Sequence, residues 1–435
     1  MVNKSGIITL LLVLVVGGGV AWYVWDSKQP KTYDEFLAAA QNSMMEHDYK
    51  TAKKYALAAK EINPDDNRAL LMASVAAASD GKLEDAIEIL KEPNKDAEFY
   101  VDCVQRRGIV ELNQGYTEKA RSSFQEALEI EPLSFESNIR MFRLLRIEGR
   151  NWEARPYIIA INQLGQHSIN AALVLSSIES VFIFEEEDKE FLETAQNSDS
   201  DYTMFLIGQA RFMAAQGEFD RSLRMLDTVL EKYPTQIEAV AQKGRLLLSQ
   251  QRMEEYDAWK KAFPPECLEH PLVWQTFGTK AELDDNKEMA ARCFWEALRL
   301  YPHHSGSNTG LARVLRSLDR KREATPFAKR GRLTREFEER LTAGKPDESV
   351  IPEVVDKLEE MDRILEAAGW CLLGLQKEMT ELETKMKELQ AKLREQQKDW
   401  AGKARTIAKK DNPAEQIDLS DYPLPDGIAI NYEID

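Results

Sequence analysis

A strict 34-residue periodicity organises most of this chain. Two segments define its phase, Gly115–Pro132 and Asp285–Pro302, and both have the pattern of an amphipathic helix that ends in proline. Ala120 and Ala290 occupy the same place in these segments, and their positions differ by five full periods. When the chain is sampled once per period from these alanines, seven of nine positions are small, with no insertion. A repeat of this length predicts pairs of antiparallel helices, each of which buries its apolar face only against its neighbours.

A second position, twelve residues earlier in each unit, is small in eight of the nine units. Small residues at both positions let the paired helices approach, and large side chains such as Phe124 and Phe294 fill the groove between them. Asp188 and Tyr256 replace the small residue in the fifth and seventh units, which we therefore predict to be degenerate. The residues that we predict to pack the repeats are Ala52, Ala86, Gly108, Ala120, Ala154, Gly244, Gly278, Ala290 and Ala324.

The series Ala120-Phe124-Ala127-Pro132, which returns at Ala290-Phe294-Ala297-Pro302, resembles the tetratricopeptide repeat (TPR). The resemblance covers residues 33–338 as nine units. It implies an all-α fold, a right-handed TPR superhelical solenoid in which the first helix of each unit lines a concave groove. It also implies that this groove binds peptide or helical segments of other proteins.

One group of TPR proteins binds C-terminal carboxylates through a clamp of Lys, Asn and Arg on first helices. The equivalent faces here carry Asp34, Leu37 and Gln41 in the first unit and Asp102, Gln105 and Arg106 in the third. The clamp is absent from this pattern, which argues against a receptor for chaperone tails.

The N-terminal part of the chain contains an uncharged apolar run. No residue between Ser5 and Trp25 is charged, and about 20 apolar residues span the hydrocarbon core of a bilayer. We predict a short flank at 1–6, a transmembrane signal anchor at 7–25 that makes the lipid bilayer a partner, and a linker at 26–32. The alternative is a cleaved signal peptide, because small residues near the end of the run resemble a cleavage site. A single-pass protein with a short N-terminus favours export of the body, to the periplasmic side if the source is bacterial.

The segment after the repeats has a different periodicity. Apolar residues recur at alternating spacings of three and four from Ile351 onwards, which predicts a coiled coil over residues 350–400. Gly369 and Gly374 flank the apolar stretch Trp370-Cys371-Leu372-Leu373, which could break this segment into a helical hairpin. The seam requires a partner helix from a second copy, from the same chain or from another protein, so 351–400 could form a homo-oligomer. Residues 411–435 contain seven acidic residues and no basic one. We interpret them as an acidic extended tail, either a docking segment or a solvated one.

Nine Lys or Arg residues and only two acidic residues lie between Arg313 and Arg335. This cluster is either the solvated face of a terminal repeat or a patch that binds an acidic partner segment or the chain's own tail. The candidate residues for such an anionic partner are Arg313, Arg316, Arg320, Lys321, Arg322, Lys329 and Arg330.

Charge and motifs restrict the remaining functions. The formal net charge of −17 argues against nucleic acid as a partner, and the sequence contains no catalytic motif or metal-ligand spacing. We therefore predict no enzyme activity and no cofactor. His303-His304 follows a proline that ends a repeat, and we expect an exposed turn there. The four cysteines are either buried thiols or form one long-range disulfide. The prediction is a membrane-tethered scaffold for protein–protein interactions. The alternatives are a regulatory or substrate-presenting subunit of a membrane enzyme complex, as in envelope assembly or cytochrome maturation, and a mitochondrial import receptor.

Overall fold

The computed structural model describes residues 30, 32–163, 169–177, 186–199, 202–342, 348–397 and 412–430. The predicted anchor at 7–25 lies outside these ranges. None of the helices within them combines the length and the hydropathy needed to cross a bilayer.

The chain divides into two compact units, residues 1–131 and 132–435. The described part of unit 1 forms three helical hairpins that correspond to the first three predicted repeats. Its helices are α1 (Tyr33–Met45), α2 (Tyr49–Ile62), α3 (Asn67–Ser79), α4 (Leu83–Ile89), α5 (Tyr100–Asn113) and α6 (Thr117–Ile130).

Unit 2 continues the pattern of antiparallel pairs through the described part of the chain. It begins with α7 (Phe135–Ile147), α8 (Asn151–Gln163), α9 (Ile169–Ser176), α10 (Glu186–Ser198), α11 (Leu206–Ala215), α12 (Phe219–Lys232), α13 (Ile237–Ser249) and α14 (Met253–Lys261). The remainder are α15 (Pro271–Leu283), α16 (Lys287–Leu300), α17 (Ser305–Ser317), α18 (Lys321–Thr342), α19 (Ile351–Glu360), α20 (Ile364–Gln376) and α21 (Leu382–Gln397). The predicted all-helical repeat is confirmed, and α18 runs past the expected end of the array at residue 338.

The turn between the two helices of a unit recurs with the period of the sequence repeat. A residue with φ between 55° and 81° stands at this point in every unit whose turn is described. A positive φ is the left-handed conformation that reverses the chain after a helix, and glycine adopts it without strain. The residues at these turns are His47, Gly81, Gly115, Gly149, Gly217, Gln251, Asp285 and Asp319.

All nine predicted repeat-packing residues are buried. A Cβ added to Gly278 would lie 2.8 Å from Cδ1 of Phe294, and one added to Gly108 would lie 2.9 Å from Cε1 of Phe124. The helices of a pair therefore approach until an aromatic ring touches backbone. In the degenerate seventh unit the ring of Trp259 takes this place against Gly244, beside the buried Tyr256. Asp188 of the fifth unit lies on α10.

The predicted coiled coil at residues 350–400 is wrong as one continuous helix. Its described part is three helices, α19 to α21, which fold back on one another at Asp362 and Glu378, both with φ near 60°. The seam is buried in a shared core with Phe337 of α18 and Ala172 of α9. The reason is α20, which is apolar on nearly every side and includes the fully buried Trp370. A two-stranded coil buries one stripe of a helix, whereas a core helix buries all of it. The seam is therefore satisfied within the same chain.

Candidate protein-interaction site

The first helices of unit 1 present polar side chains to solvent. Asp34, Arg68 and Asp102 hold equivalent places in the first three repeats, and all three are exposed, as is Gln41. We call this side of α1, α3 and α5 the first-helix face of unit 1. Leu37 is half-buried on the same face.

Arg106 and Gln105 also lie on this face, on α5, and both are half-buried. The Nε of Arg106 has no hydrogen-bond partner among the described residues, and burial lowers the pKa of the Arg106 guanidinium. In the next repeat along the sequence, Arg140 Nε is 2.7 Å from Oε1 of Glu136, four residues earlier. The matching acid before Arg106 is Asp102, whose side chain is one methylene shorter than that of Glu136.

Three of the equivalent positions in unit 2 are buried, whereas Glu136 and Gly306, at two others, are partly exposed. Met204, Glu238 and Leu272 are separated from Asp34 by whole numbers of repeats, and they are 6%, 1% and 3% exposed. Glu238 accepts a hydrogen bond from the backbone N of Trp152 on α8, at 3.4 Å. The groove side of these repeats is thus covered by other parts of unit 2.

Glu238 is the centre of a buried charged group. It pairs with Arg211, and its Oε2 lies 3.2 Å from Nε2 of His270. The Nδ1 of His270 accepts the N–H of Leu272 at 3.1 Å, so the proton of a neutral His270 is on Nε2 and points to Glu238. Burial opposes ionisation of Glu238, but His270 and Arg211 outweigh burial and lower its pKa to about 2.

A second buried group joins α9 to α20. The fully buried Arg363 donates from Nη2 to the backbone O of Ser176 at 2.5 Å, and the same Nη2 lies 3.3 Å from Oε1 of Glu366. Trp370 Nε1 donates to Ser176 Oγ at 2.9 Å. Tyr301 also donates to the Ser176 carbonyl, at 3.3 Å. These bonds join parts of unit 2 that are far apart in the sequence.

The predicted exposed turn at His303-His304 is wrong, because each residue is 2% exposed. His304 Nδ1 lies 2.7 Å from Oγ of Ser307. Burial lowers the pKa of His303 well below its usual value, and the neighbouring Arg363, Arg330 and Arg155 lower it further. His303 is therefore neutral at pH 7. The four cysteines are buried and unpaired.

The predicted anionic-partner residues have separate surroundings. Arg313 on α17 is exposed and pairs with Glu282, with Nη2 2.6 Å from Oε2. Arg320 pairs with Glu323, at 2.5 Å, and Lys321 with Asp319, at 3.3 Å. Lys321 is exposed, and of the other four candidates Arg316, Arg322 and Lys329 are exposed and Arg330 is half-buried.

One of these residues, Arg320, contacts the C-terminal segment of residues 412–430. Its Nη1 donates to the hydroxyl of Tyr422 at 2.9 Å, and its guanidinium lies 5.7 Å from the centre of that ring. Of the predicted tail at 411–435 the structure describes residues 412–430, which are extended apart from one short 3₁₀ turn at Pro413–Gln416 and pack on helices of unit 2.

Most polar contacts of the C-terminal segment come from α16. Trp295 Nε1 donates to the carbonyl of Ala414 at 2.6 Å. Arg292 Nη1 donates to three further carbonyls, those of Leu419, Ser420 and Tyr422. In the other direction, Asn412 Nδ2 donates to the carbonyl of Leu298 at 3.1 Å. The surface thus binds the main chain of an extended segment.

Apolar contacts continue along the second helices of neighbouring repeats. Ala414 and Leu419 are 0% and 1% exposed and belong to the core that contains Trp295 and Phe327. The segment's last apolar residues pack against the cluster around Trp259 of α14; they are Leu424, Ile428 and Ile430. We call the area under residues 412–430 the tail-binding surface. Sequence reasoning missed Trp295 and Arg292, although a tryptophan directly after the core Phe294 places an aromatic ring on the outer side of the helix.

No group of three or more His, Cys, Asp or Glu side chains within the described ranges is arranged to hold a metal ion.

No protein-family model matches this chain, and no curated protein sequence matches it. Solved structures with a similar path include a tetratricopeptide repeat protein from Parabacteroides merdae, with 14% identity over 65% of this chain and 98% of that one, at a TM-score of 0.26. Yeast Tom70 has 14% identity over 86% of this chain and 92% of its own, at a TM-score of 0.28. Human IFIT1, as a dimer with PPP-AAAA, has 14% identity over 82% and 93%, at 0.31. Identities and scores this low transfer no property of those proteins to this chain. The 34-residue register, its recurring left-handed turn and the helical hairpins resemble those of the tetratricopeptide repeat.

Proposed function

We propose that this protein is a membrane-tethered, non-enzymatic scaffold that binds segments of partner proteins on the first-helix face of unit 1. The observation that carries the proposal is the difference in exposure between equivalent positions of the first three repeats and of the sixth to eighth. Asp34, Arg68 and Asp102 are exposed, whereas Met204, Glu238 and Leu272 are buried.

The chemistry of the face supports a peptide or helix as the ligand. It combines the half-buried apolar Leu37 with polar and charged groups of both signs, Gln41, Arg68 and Asp102. Such a surface offers many small contacts from rigid helices, which is how repeat arrays bind extended partners.

The tether in this proposal is the apolar run at residues 7–25. Unit 1 begins its first helix at Tyr33, and a linker of seven residues spans at most about 25 Å. A partner bound on this face would therefore be held close to the bilayer, on the extracytoplasmic side if the body is exported.

The test is partner capture by crosslinking in native membranes with a tagged full-length chain. We compare Asp102→Lys with Glu129→Lys, which makes the same charge reversal at an exposed site on α6, the second helix of the same repeat. We expect Asp102→Lys to reduce the recovery of a stoichiometric partner at least fivefold and Glu129→Lys to leave it unchanged.

Equal recovery with both variants would overturn the assignment of the face. An enzyme among the captured proteins would favour the alternative of a regulatory or substrate-presenting subunit. Recovery in the soluble fraction after deletion of residues 1–29, with the partner still attached, would separate tethering from binding.

A further inference from the structure

The C-terminal segment of residues 412–430 lies on a surface whose main polar side chains also contact one another within α16. Arg292 forms an ion pair with Glu296 within α16, with Nε 2.7 Å from Oε1. The guanidinium groups of Arg292 and Arg299 lie 5.4 and 4.7 Å from the centre of the Trp295 ring, within reach of cation–π attraction. The helix itself therefore holds the three side chains that meet the segment, and a preformed surface lowers the entropy cost of binding.

Recognition is directed mainly at the main chain of the segment. Trp295 and Arg292 donate to four of its backbone carbonyls. Every extended polypeptide presents such carbonyls, so these bonds do not depend on one sequence. Selectivity comes instead from buried apolar side chains, among them Ala414 and Leu419 together with Pro413 and Pro425, and from Tyr422.

Charge is complementary across the contact. The segment carries four acidic residues and no basic one, and Arg299 lies 3.8 Å from Oε1 of Glu415. The surface supplies Arg292, Arg299 and Arg320, which also pair with its own Glu296 and Glu323.

We propose that the tail-binding surface is a docking site for an extended acidic segment of a partner protein, with residues 412–430 as its resident and displaceable occupant. The partner segment would present a small and a larger apolar side chain in the places of Ala414 and Leu419, with acidic residues beside them. This site lies on second helices, so it is separate from the first-helix face of unit 1 and does not rest on the function proposed there.

The test places a protease site between residues 398 and 411 of the full chain, so that cleavage frees the segment from its covalent link. The probe is a fluorescent synthetic peptide of residues 411–430, measured by polarisation before and after cleavage and dilution. A tethered segment acts at an effective concentration of roughly millimolar. We expect the peptide to bind the cleaved chain at least tenfold more tightly than the intact one.

Two variants of the surface and one control make the test specific. Trp295→Phe retains the ring and loses the bond to the Ala414 carbonyl, and Arg320→Ala loses the contact with Tyr422; each should weaken peptide binding several-fold or more. Arg322→Ala removes an exposed arginine two residues from Arg320 and should leave binding unchanged. A peptide with Asp in place of Leu419 should bind at least tenfold more weakly.

Three results would overturn the proposal. The first is equal affinity of the peptide before and after cleavage. The second is loss of helical content when the segment is released, which would make residues 412–430 a structural part of the array. The third is a concentration-dependent dimer of the intact chain that disappears on deletion of the segment, which would make a second copy the occupant.

Discussion

The closeness of the repeat helices makes Gly278→Ala an informative substitution. The new Cβ would lie 2.8 Å from both Cδ1 and Cε1 of Phe294, which is about 1 Å inside the best carbon–carbon separation. The ring has little room to retreat, because a Cβ position on Gly310 of α17 is only 2.6 Å from its Cζ. Either the ring leaves its rotamer or α15 and α16 move apart.

The expected cost is the difference of two effects. Overpacking a filled core costs about 1–3 kcal/mol, and alanine in place of glycine inside a helix returns about 1 kcal/mol. We therefore expect Gly278→Ala to lower the free energy of unfolding by about 1 kcal/mol. Phe294→Leu in the same chain removes the end of the ring, so the double variant should be more stable than the sum of the single effects by at least about 0.5 kcal/mol.

The assay is urea denaturation followed by circular dichroism and by tryptophan fluorescence, because coincident transitions are needed before a free energy is assigned. Gly306→Ala is the control, since its Cβ would meet only the flexible end of the Gln275 side chain. The control should not lower the free energy of unfolding, because alanine in place of glycine favours the helix and no aromatic ring is crowded. A Gly278→Ala chain as stable as the wild type, or strictly additive effects with Phe294→Leu, would refute the account of the packing.

Three further predictions concern buried polar groups. The pKa of Glu238 is lowered to about 2, since His270 and Arg211 outweigh the effect of burial. The ionised Glu238 therefore contributes fully to the free energy of unfolding above about pH 5, and this contribution is lost as the pH falls towards 2. In urea unfolding measured over a pH series, Glu238→Gln should make the free energy of unfolding less dependent on pH between these values. Arg363→Met removes a donor to the carbonyl of Ser176 and should cost about 3 kcal/mol, with faster amide hydrogen exchange at 169–177 measured by mass spectrometry. Burial raises the pKa of every cysteine thiol, so iodoacetamide at pH 8 should label none in the native chain and all four in urea: Cys103, Cys267, Cys293 and Cys371.

The repeat was predictable because its determinants are local. Ala120 and Phe124 lie one helical turn apart, and Gly115 reverses the chain between the two helices of a unit. Each rule involves residues within a single repeat, so it is visible at a fixed spacing. The seventh unit has the same ring-against-glycine contact. Lys260 stands at the position of Phe124 and Phe294, but Trp259, one residue earlier, packs its ring against Gly244.

The heptad pattern was ambiguous for a physical reason. A spacing of three and four marks the buried stripe of a helix, whether the neighbour is a second chain or another part of the same core. Residues outside the heptad seam distinguish the two arrangements. A coiled coil would leave Trp370 and Cys371 exposed, whereas both are fully buried. A breaker such as glycine was not needed, since Asp362 and Glu378 adopt the left-handed turns.

The periodicity of the sequence could not predict contacts between residues that are far apart in the chain. The bond from Arg363 to the Ser176 carbonyl joins α20 to α9, and the bond from Trp295 to the Ala414 carbonyl joins α16 to the C-terminal segment. Neither has a spacing rule, and both join a buried donor to a backbone carbonyl, which every residue offers. The predicted interaction of the basic residues with the tail stays a prediction for all but Arg320, whose bond to Tyr422 is observed.

The two units use the same repeat in different ways, and this difference bears on where partners bind. In the sixth to eighth repeats the groove positions Met204, Glu238 and Leu272 are buried, and buried charged groups of unit 2 such as Glu238 and Arg363 are paired with neighbours. A partner entering there would have to replace those pairs, and leaving one buried charge without its counterion costs several kcal/mol. Exposed groups such as Asp102 carry no such cost, and the contacts of residues 412–430 are made largely with backbone carbonyls that another extended segment can supply. On these grounds the first-helix face of unit 1 and the tail-binding surface are our proposed partner sites, in preference to the buried groove positions of unit 2.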